Sequence, residues 1–123
     1  MAIADLKMMT LDSSDAPRDA TFWSAVLGWE VAHSQDEYAM LTGPGGLALG
    51  FGTLEHHQQP GWPNEHGSKQ FHLDLAADDI DAETARLVGL GATLAEPQPG
   101  ETWRVLLDPA GHPFCVTIAA NWS

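Results

Sequence analysis

The chain has 123 residues, enough for one domain with a real core and too few for a separate cofactor domain. Five Lys+Arg against 17 Asp+Glu give a formal net charge of -12, which repels nucleic acid and anionic membrane surfaces. No apolar run approaches the roughly 20 residues that span a bilayer, no basic-then-apolar leader opens the sequence, and the single cysteine, Cys115, excludes an internal disulfide framework or a cysteine-based zinc knuckle; a cytoplasmic protein is expected.

In chain order, residues 5–11 form an extended run rich in Met and Leu. Asp15 follows with a carboxylate suited to the free N–H groups of a first helical turn, where Pro17 is tolerated because that turn needs no backbone donor. Ala16, Ala20, Trp23 and Leu27 recur at helical spacing with Phe22 and Val26 beside them, and Gly28 suits the left-handed position past the last turn. Residues 29–32, 37–41 and 47–51 read as short strands separated by turn chemistry, above all Gly43-Pro44-Gly45-Gly46. This predicts a βαβββ unit over residues 1–54. Residues 55–68 are polar and His-rich, a connection that serves as a linker or as a lid. Residues 69–123 then repeat the order: a strand over 69–76, a helix capped by Asp78 or Asp79 with Ile80, Thr84, Leu87 and Val88 facing inward, and strands over 92–95, 102–107 and 113–118. Pro113 can begin the last strand because a first position needs no ladder donor.

The two halves echo each other at the residue level. Met8-Met9-Thr10-Leu11 is matched by His72-Leu73-Asp74-Leu75, Leu27-Gly28 by Leu90-Gly91, and Pro44-Gly45-Gly46 leading into residues 47–51 by Pro109-Ala110-Gly111 leading into residues 112–116. Two copies of one module packed face to face create a shared cleft, with equivalent strand positions pointing into it. The expected fold class is α+β, a single domain over residues 1–123.

Phe22-Trp23 followed by Leu27-Gly28-Trp29-Glu30-Val31, then His72-Leu73-Asp74-Leu75, then Asp108-Pro109-Ala110-Gly111-His112-Pro113-Phe114-Cys115, resemble typical stretches of the vicinal oxygen chelate superfamily. That superfamily includes glyoxalase I, extradiol dioxygenases and bleomycin-resistance proteins, and the likeness is narrower to its glyoxalase-like domains. The resemblance covers essentially the whole chain. It implies two βαβββ modules forming a glyoxalase/bleomycin-resistance-like cleft, and a homodimer. It does not select an activity, since members range from metal lyases to plain binding proteins.

In metal-dependent relatives each module supplies one ligand from its first strand and one from its last, usually His or Gln and then Glu. The resemblance places these positions at Met8, Gly50, His72 and Cys115, where only His72 is a conventional member of the set. A divalent catalytic site needs roughly three protein ligands and an exchangeable position. Gly50 offers no side chain, and the Met8 thioether suits copper(I) rather than zinc, nickel, iron or manganese. His72 with Cys115 is an incomplete set, so neither metal nor cofactor is expected. The same positions become candidates for contact with a small organic ligand, with Phe51 and Trp62 as further contributors.

Each candidate has a plainer role. His72 serves as a hydrogen-bonded cleft or core histidine, and Cys115, between Phe114 and Val116, as a small buried hydrophobe. Positions 72 and 74 share a strand face, which permits an imidazole–carboxylate pair capable of general acid or base work; Asp74 alternatively caps a turn or pairs with Arg104. Asp108 reads as a turn-former, and Ser13 and Ser14 as capping residues rather than nucleophiles. His56, His57 and His66, with Glu55, Glu65 and His112 as additions, lack a rigid spacing that would aim them at one ion, and read as a polar loop. Trp62 in Pro60-Gly61-Trp62-Pro63 covers the cleft, packs on a second subunit or anchors its loop. The leading expectation is binding of a small organic molecule without an obligatory metal. Its competitors are a metal-dependent lyase, isomerase or dioxygenase using His72 as ligand or base, and an antibiotic-sequestering protein similar to bleomycin-resistance members.

Overall fold

The computed structural model describes residues 2–60 and 71–122, so Trp62, Glu65 and His66 lie outside the described residues. The chain divides into two compact units, Met1–His57 and Gln58–Ser123.

The first unit runs β1 (Met8–Ser13), α1 (Ala16–Leu27), β2 (Glu30–Gln35), β3 (Tyr38–Thr42) and β4 (Ala48–Thr53). The sheet order is β1-β4-β3-β2, with β1 parallel to β4 and the remaining pairs antiparallel. Parallel neighbours cannot be joined by a tight hairpin, and α1 begins the crossover that separates them. Asp15 caps the helix as its sequence predicts, accepting the Arg18 N–H at 3.1 Å. Gly28 ends it at φ 71°, donating its N–H to the Ser24 carbonyl at 2.8 Å. The helix buries Ala16, Ala20, Phe22 and Trp23 over a sheet face that contributes Ala39, Leu41, Leu49 and Phe51.

One member of that interface was not foreseen. Asp19 is 1% exposed, because it accepts the Ser13 hydroxyl and, at 3.0 Å, the Arg18 Nε–H. Ser13 in turn accepts the Asp15 N–H at 2.8 Å. A buried carboxylate is tolerable only when its lone pairs are matched in this way, and the matching ties the end of β1 to the first turn of α1.

The second unit runs β5 (Leu73–Ala77), α2 (Ile80–Leu90), β6 (Thr93–Leu94), β7 (Trp103–Leu107) and β8 (Pro113–Ile118), with the equivalent sheet order β5-β8-β7-β6. Asp79 is the cap, accepting the Asp81 and Ala82 N–H groups, both at 3.1 Å. Asp108 forms the expected turn, accepting from the Ala110 N–H at 3.1 Å and the His112 N–H at 2.8 Å. The α2 face departs from the sequence pattern: Leu87 is buried whereas Val88 is 46% exposed. Neighbouring helical residues point about 100° apart, and the orientation that buries Leu87 turns Val88 outward.

The strand expected over residues 92–95 shortens to two residues, and a side chain completes its ladder. Ala95 donates to the Val105 carbonyl at 3.0 Å. Gln98 then uses its amide as a substitute strand, donating to the carbonyls of Ala95 (2.7 Å) and Val105 (2.9 Å) and accepting the Val105 N–H at 2.9 Å. Among the described residues no helix is long and apolar enough to cross a membrane.

Replacing Asp19 with Ala removes the acceptor of a buried hydroxyl, and should lower unfolding free energy by about 1–3 kcal/mol. Urea denaturation of Asp19→Ala is expected to show an earlier midpoint with an unchanged slope. Arg18→Ala should cost less, because the Arg18 side chain is 41% exposed.

Candidate functional site

Side chains alternate across a strand, so each sheet has a helix-covered face and an opposite one. In the second unit, register places Cys115 directly between Asp74 on β5 and Val105 on β7. Trp103 lies two residues before Val105 on the same face and packs against the Cys115–Val105–Ala95 cluster. His72, one residue ahead of β5, returns to that face by the same alternation. Its Nε2 lies 3.3 Å from Asp74 Oδ1, which realises the imidazole–carboxylate pair. One donor atom from each of His72, Asp74 and Cys115 lies within 4.8 Å of the others.

The three differ in access. Cys115 is 3% exposed, whereas the His72 and Asp74 side chains keep 26% and 40% of their surface. The thiol therefore forms the floor of the group, and the imidazole and carboxylate its accessible rim. The alternative pairing of Asp74 with Arg104 is not adopted. Arg104 is offset by one residue from Val105 and so projects to the other face, where it meets Asp81 at 3.4 Å, with further bonds to the carbonyls of Glu101 (3.1 Å) and Trp103 (3.0 Å).

The corresponding face of the first unit has a different chemistry. Gly50 pairs with Thr10 on β1 and Met40 on β3. A methyl added at Gly50 would lie 3.1 Å from Met8 Sδ, 3.2 Å from the Tyr38 hydroxyl oxygen and 3.3 Å from Thr10 Oγ1. The Tyr38 hydroxyl donates to Met8 Sδ at 3.3 Å. The space beside residue 50 is therefore filled by a thioether, a phenol and an alcohol from neighbouring strands. These residues do not fit the four-donor chelate of metal-dependent relatives: this half contributes no imidazole or carboxylate at the mapped positions.

Phe51, next along β4, points to the helix side and is 0% exposed, a core position rather than a contact surface. His56 and Glu55 approach only to 3.9 Å, with both side chains 89% exposed. Among the described residues, His72, Asp74 and Cys115 are the only group of three or more such donors that could converge on one ion. Mapping ligand positions one at a time left out Asp74. Strand alternation between positions 72 and 74 was the signal for it, and the β5–β8 register supplies the third partner.

The packing around Gly50 sets a steric limit. A methyl at Gly50 needs side-chain ends beside it to yield by only a few tenths of an ångström, so Gly50→Ala should move the thermal midpoint little, whereas Gly50→Glu must displace Met8 and Tyr38 and should lower it. Met8→Ala in the Gly50→Glu background should recover part of that loss.

The model of the glyoxalase-like domain family matches residues 8–117. Among solved structures, a glyoxalase/bleomycin resistance protein/dioxygenase family enzyme from Burkholderia phytofirmans PsJN aligns with a TM-score of 0.70 at 19% identity, over 94% of this chain and 99% of that one. A possible glyoxalase from Bacillus cereus aligns with a TM-score of 0.68 at 18% identity, over 94% and 99%. The bleomycin-binding protein of Streptomyces verticillus, solved with copper(II)-bleomycin, aligns with a TM-score of 0.58 at 19% identity, over 96% and 98%. None of the curated proteins compared matches. Identities this low speak to fold alone, but the family match runs from the start of β1 to within one residue of the end of β8. The chain belongs to the glyoxalase-like domain family of the vicinal oxygen chelate superfamily.

Proposed function

We propose that this protein binds a small organic molecule without using the four-donor metal chelate of its metal-dependent relatives. The observation that carries this reading is the environment of Gly50, where Met8 Sδ, Thr10 Oγ1 and the Tyr38 hydroxyl crowd the position of a Cβ and neither an imidazole nor a carboxylate stands at positions 8 and 50. A thioether next to a phenol makes an adaptable, largely apolar wall, and the hydroxyls of Tyr38 and Thr10 supply a few oriented polar contacts. On the second unit, Trp103 offers an indole surface, and the His72–Asp74 pair can bond a ligand oxygen or nitrogen. The net charge of -12 favours neutral or cationic ligands over polyanions.

The proposal has the chain act as a single-domain cytoplasmic homodimer whose partner is the ligand, with neither nucleic acid nor membrane involved. Sequestration of a cationic antibiotic is the version of this function supported by charge and by the fold shared with a bleomycin-binding protein. An enzymatic reading draws on one specific feature: His72 lies 3.3 Å from Asp74, the arrangement of a base held by a carboxylate. It would act on a small oxygenated substrate as a lyase, isomerase or dioxygenase.

Tryptophan fluorescence titration with bleomycin, and with a panel of neutral aromatic and cationic compounds, separates these readings. Saturable quenching by at least one compound is expected, unchanged by excess chelator and without turnover. Met8→Ala and Tyr38→Phe should each weaken it by about three- to tenfold, equivalent to roughly 1 kcal/mol. Metal-stimulated consumption of a hemithioacetal or a catechol, or the absence of saturable binding across the panel, would overturn the proposal.

A further inference from the structure

We infer that the slot at Gly52 on the first sheet, between Asp12 and Tyr38, is a subsite for the primary ammonium group of a small organic molecule. The inference rests on the ligand-binding reading above and narrows its ligand to an amine. It takes no donor from the positions at which the superfamily places metal ligands.

Register builds the slot. Gly52 on β4 is the direct partner of Asp12 on β1 and of Tyr38 on β3. Ser13 faces α1 through its bond to Asp19, so alternation turns Asp12 to the opposite face of the sheet. Tyr38 shares that face, where its hydroxyl meets Met8 Sδ. Strands about 4.8 Å apart set the backbones of Asp12 and Tyr38 roughly 10 Å from each other, with no side chain at the position between them. The two glycines of β4 differ in this respect. A methyl at Gly50 would lie 3.1–3.3 Å from three neighbouring side chains, whereas among the described residues one at Gly52 would meet only Asp12 Oδ1, at 3.9 Å.

The walls select the ligand. A carboxylate accepts hydrogen bonds, and an ammonium brings three to donate together with the opposite charge. The phenol ring attracts a cation to its face. Tyr38 is held in place for such a contact: its hydroxyl bonds to Met8 Sδ at 3.3 Å, and the His33 ring packs against it at a centroid distance of 5.9 Å, so little side-chain freedom is left to lose on binding. Asp12 is exposed and Tyr38 half-buried, which leaves the slot open to a ligand. No Lys or Arg stands on any of the four strands, so the sheet itself adds no positive charge to repel a cation. A slot one side chain wide suits an ammonium on a narrow alkyl stem.

Three probes of similar shape separate charge from bulk: phenethylamine, phenethyl alcohol and phenylpropionate, each titrated into isotope-labelled full-length protein at neutral pH and followed by backbone amide chemical shifts. We expect phenethylamine to shift the Asp12, Tyr38 and Gly52 amides saturably, with the alcohol and the carboxylate binding about fivefold more weakly or less. Added salt should weaken binding of the amine. Asp12→Asn should weaken it about fivefold and Tyr38→Leu about threefold. Gly52→Val should fill the slot and abolish the shifts with circular dichroism unchanged, because a strand accepts a β-branched residue and the space beside Gly52 is open; Gly52→Ala carries the same test if valine prevents folding. Equal affinity for amine and alcohol, shifts confined to other residues, binding indifferent to Asp12→Asn and to the Gly52 substitutions, or no binding of the amine would each overturn the subsite. Amide shifts at Asp12 and Gly52 judge the slot, and the fluorescence panel judges ligand binding anywhere on the protein, so failure of one is distinguishable from failure of the other.

Discussion

In each unit the first strand lies parallel to the last, and most of what stands on the face away from the helix follows from that pairing. Parallel neighbours require a long connection. Here it is a helix followed by an antiparallel meander, which sends the chain away from the starting strand and returns it alongside. Residues some 40 positions apart thereby become direct partners: Thr10 with Gly50, and Asp74 with Cys115. The helix must cover one side of the sheet to bury its own apolar stripe. The other side then displays Met8, Thr10, Gly50 and Tyr38 in the first unit, and His72, Asp74, Cys115 and Trp103 in the second.

The same frame thus supports two surfaces with little chemistry in common. In the first unit the middle of β4 has no side chain, and neighbouring strands fill the vacancy, with the Tyr38 hydroxyl bonded to Met8 Sδ. In the second, the equivalent position carries a thiol, flanked by a carboxylate and backed by apolar Val105 and Ala95. Each unit also seats an indole over a glycine. A side chain at Gly43 would overlap the Trp29 ring, and one at Gly100 would overlap the Trp103 ring. Trp103 is therefore held against the cluster that contains Cys115 by close backbone contact as well as by apolar burial.

Local chemistry made much of this legible. Asp15 and Asp79 announce helix starts because a short carboxylate satisfies the first-turn N–H groups, and Gly28 announces an end because it reaches φ 71°. Alternation within a strand likewise paired His72 with Asp74. The features that escaped depend on partners distant in the chain or on the rotation of an element. Asp19 looks like a solvent-facing helix residue until β1 brings Ser13 above it. Gln98 looks like loop until its amide meets both edges of the β6–β7 ladder. Val88 has the hydrophobicity of a core residue but lies on the wrong side of Leu87. Phe51 neighbours a candidate contact position in sequence, and the pleat turns it to the opposite face.

The position of Cys115 links stability to chemistry. It belongs to the apolar cluster of the second unit and is also the innermost of the three converging donors. Its neighbour Val105 is held by Gln98 through two hydrogen bonds to its backbone, so the strand behind the thiol is fixed by a side chain outside the sheet. A rigid floor under a more accessible rim suits recognition, because ordering costs are met in folding and fewer remain for the bound state. The second unit thus sets its least accessible donor atom into the packed sheet and its two more accessible ones at the edge of the same face.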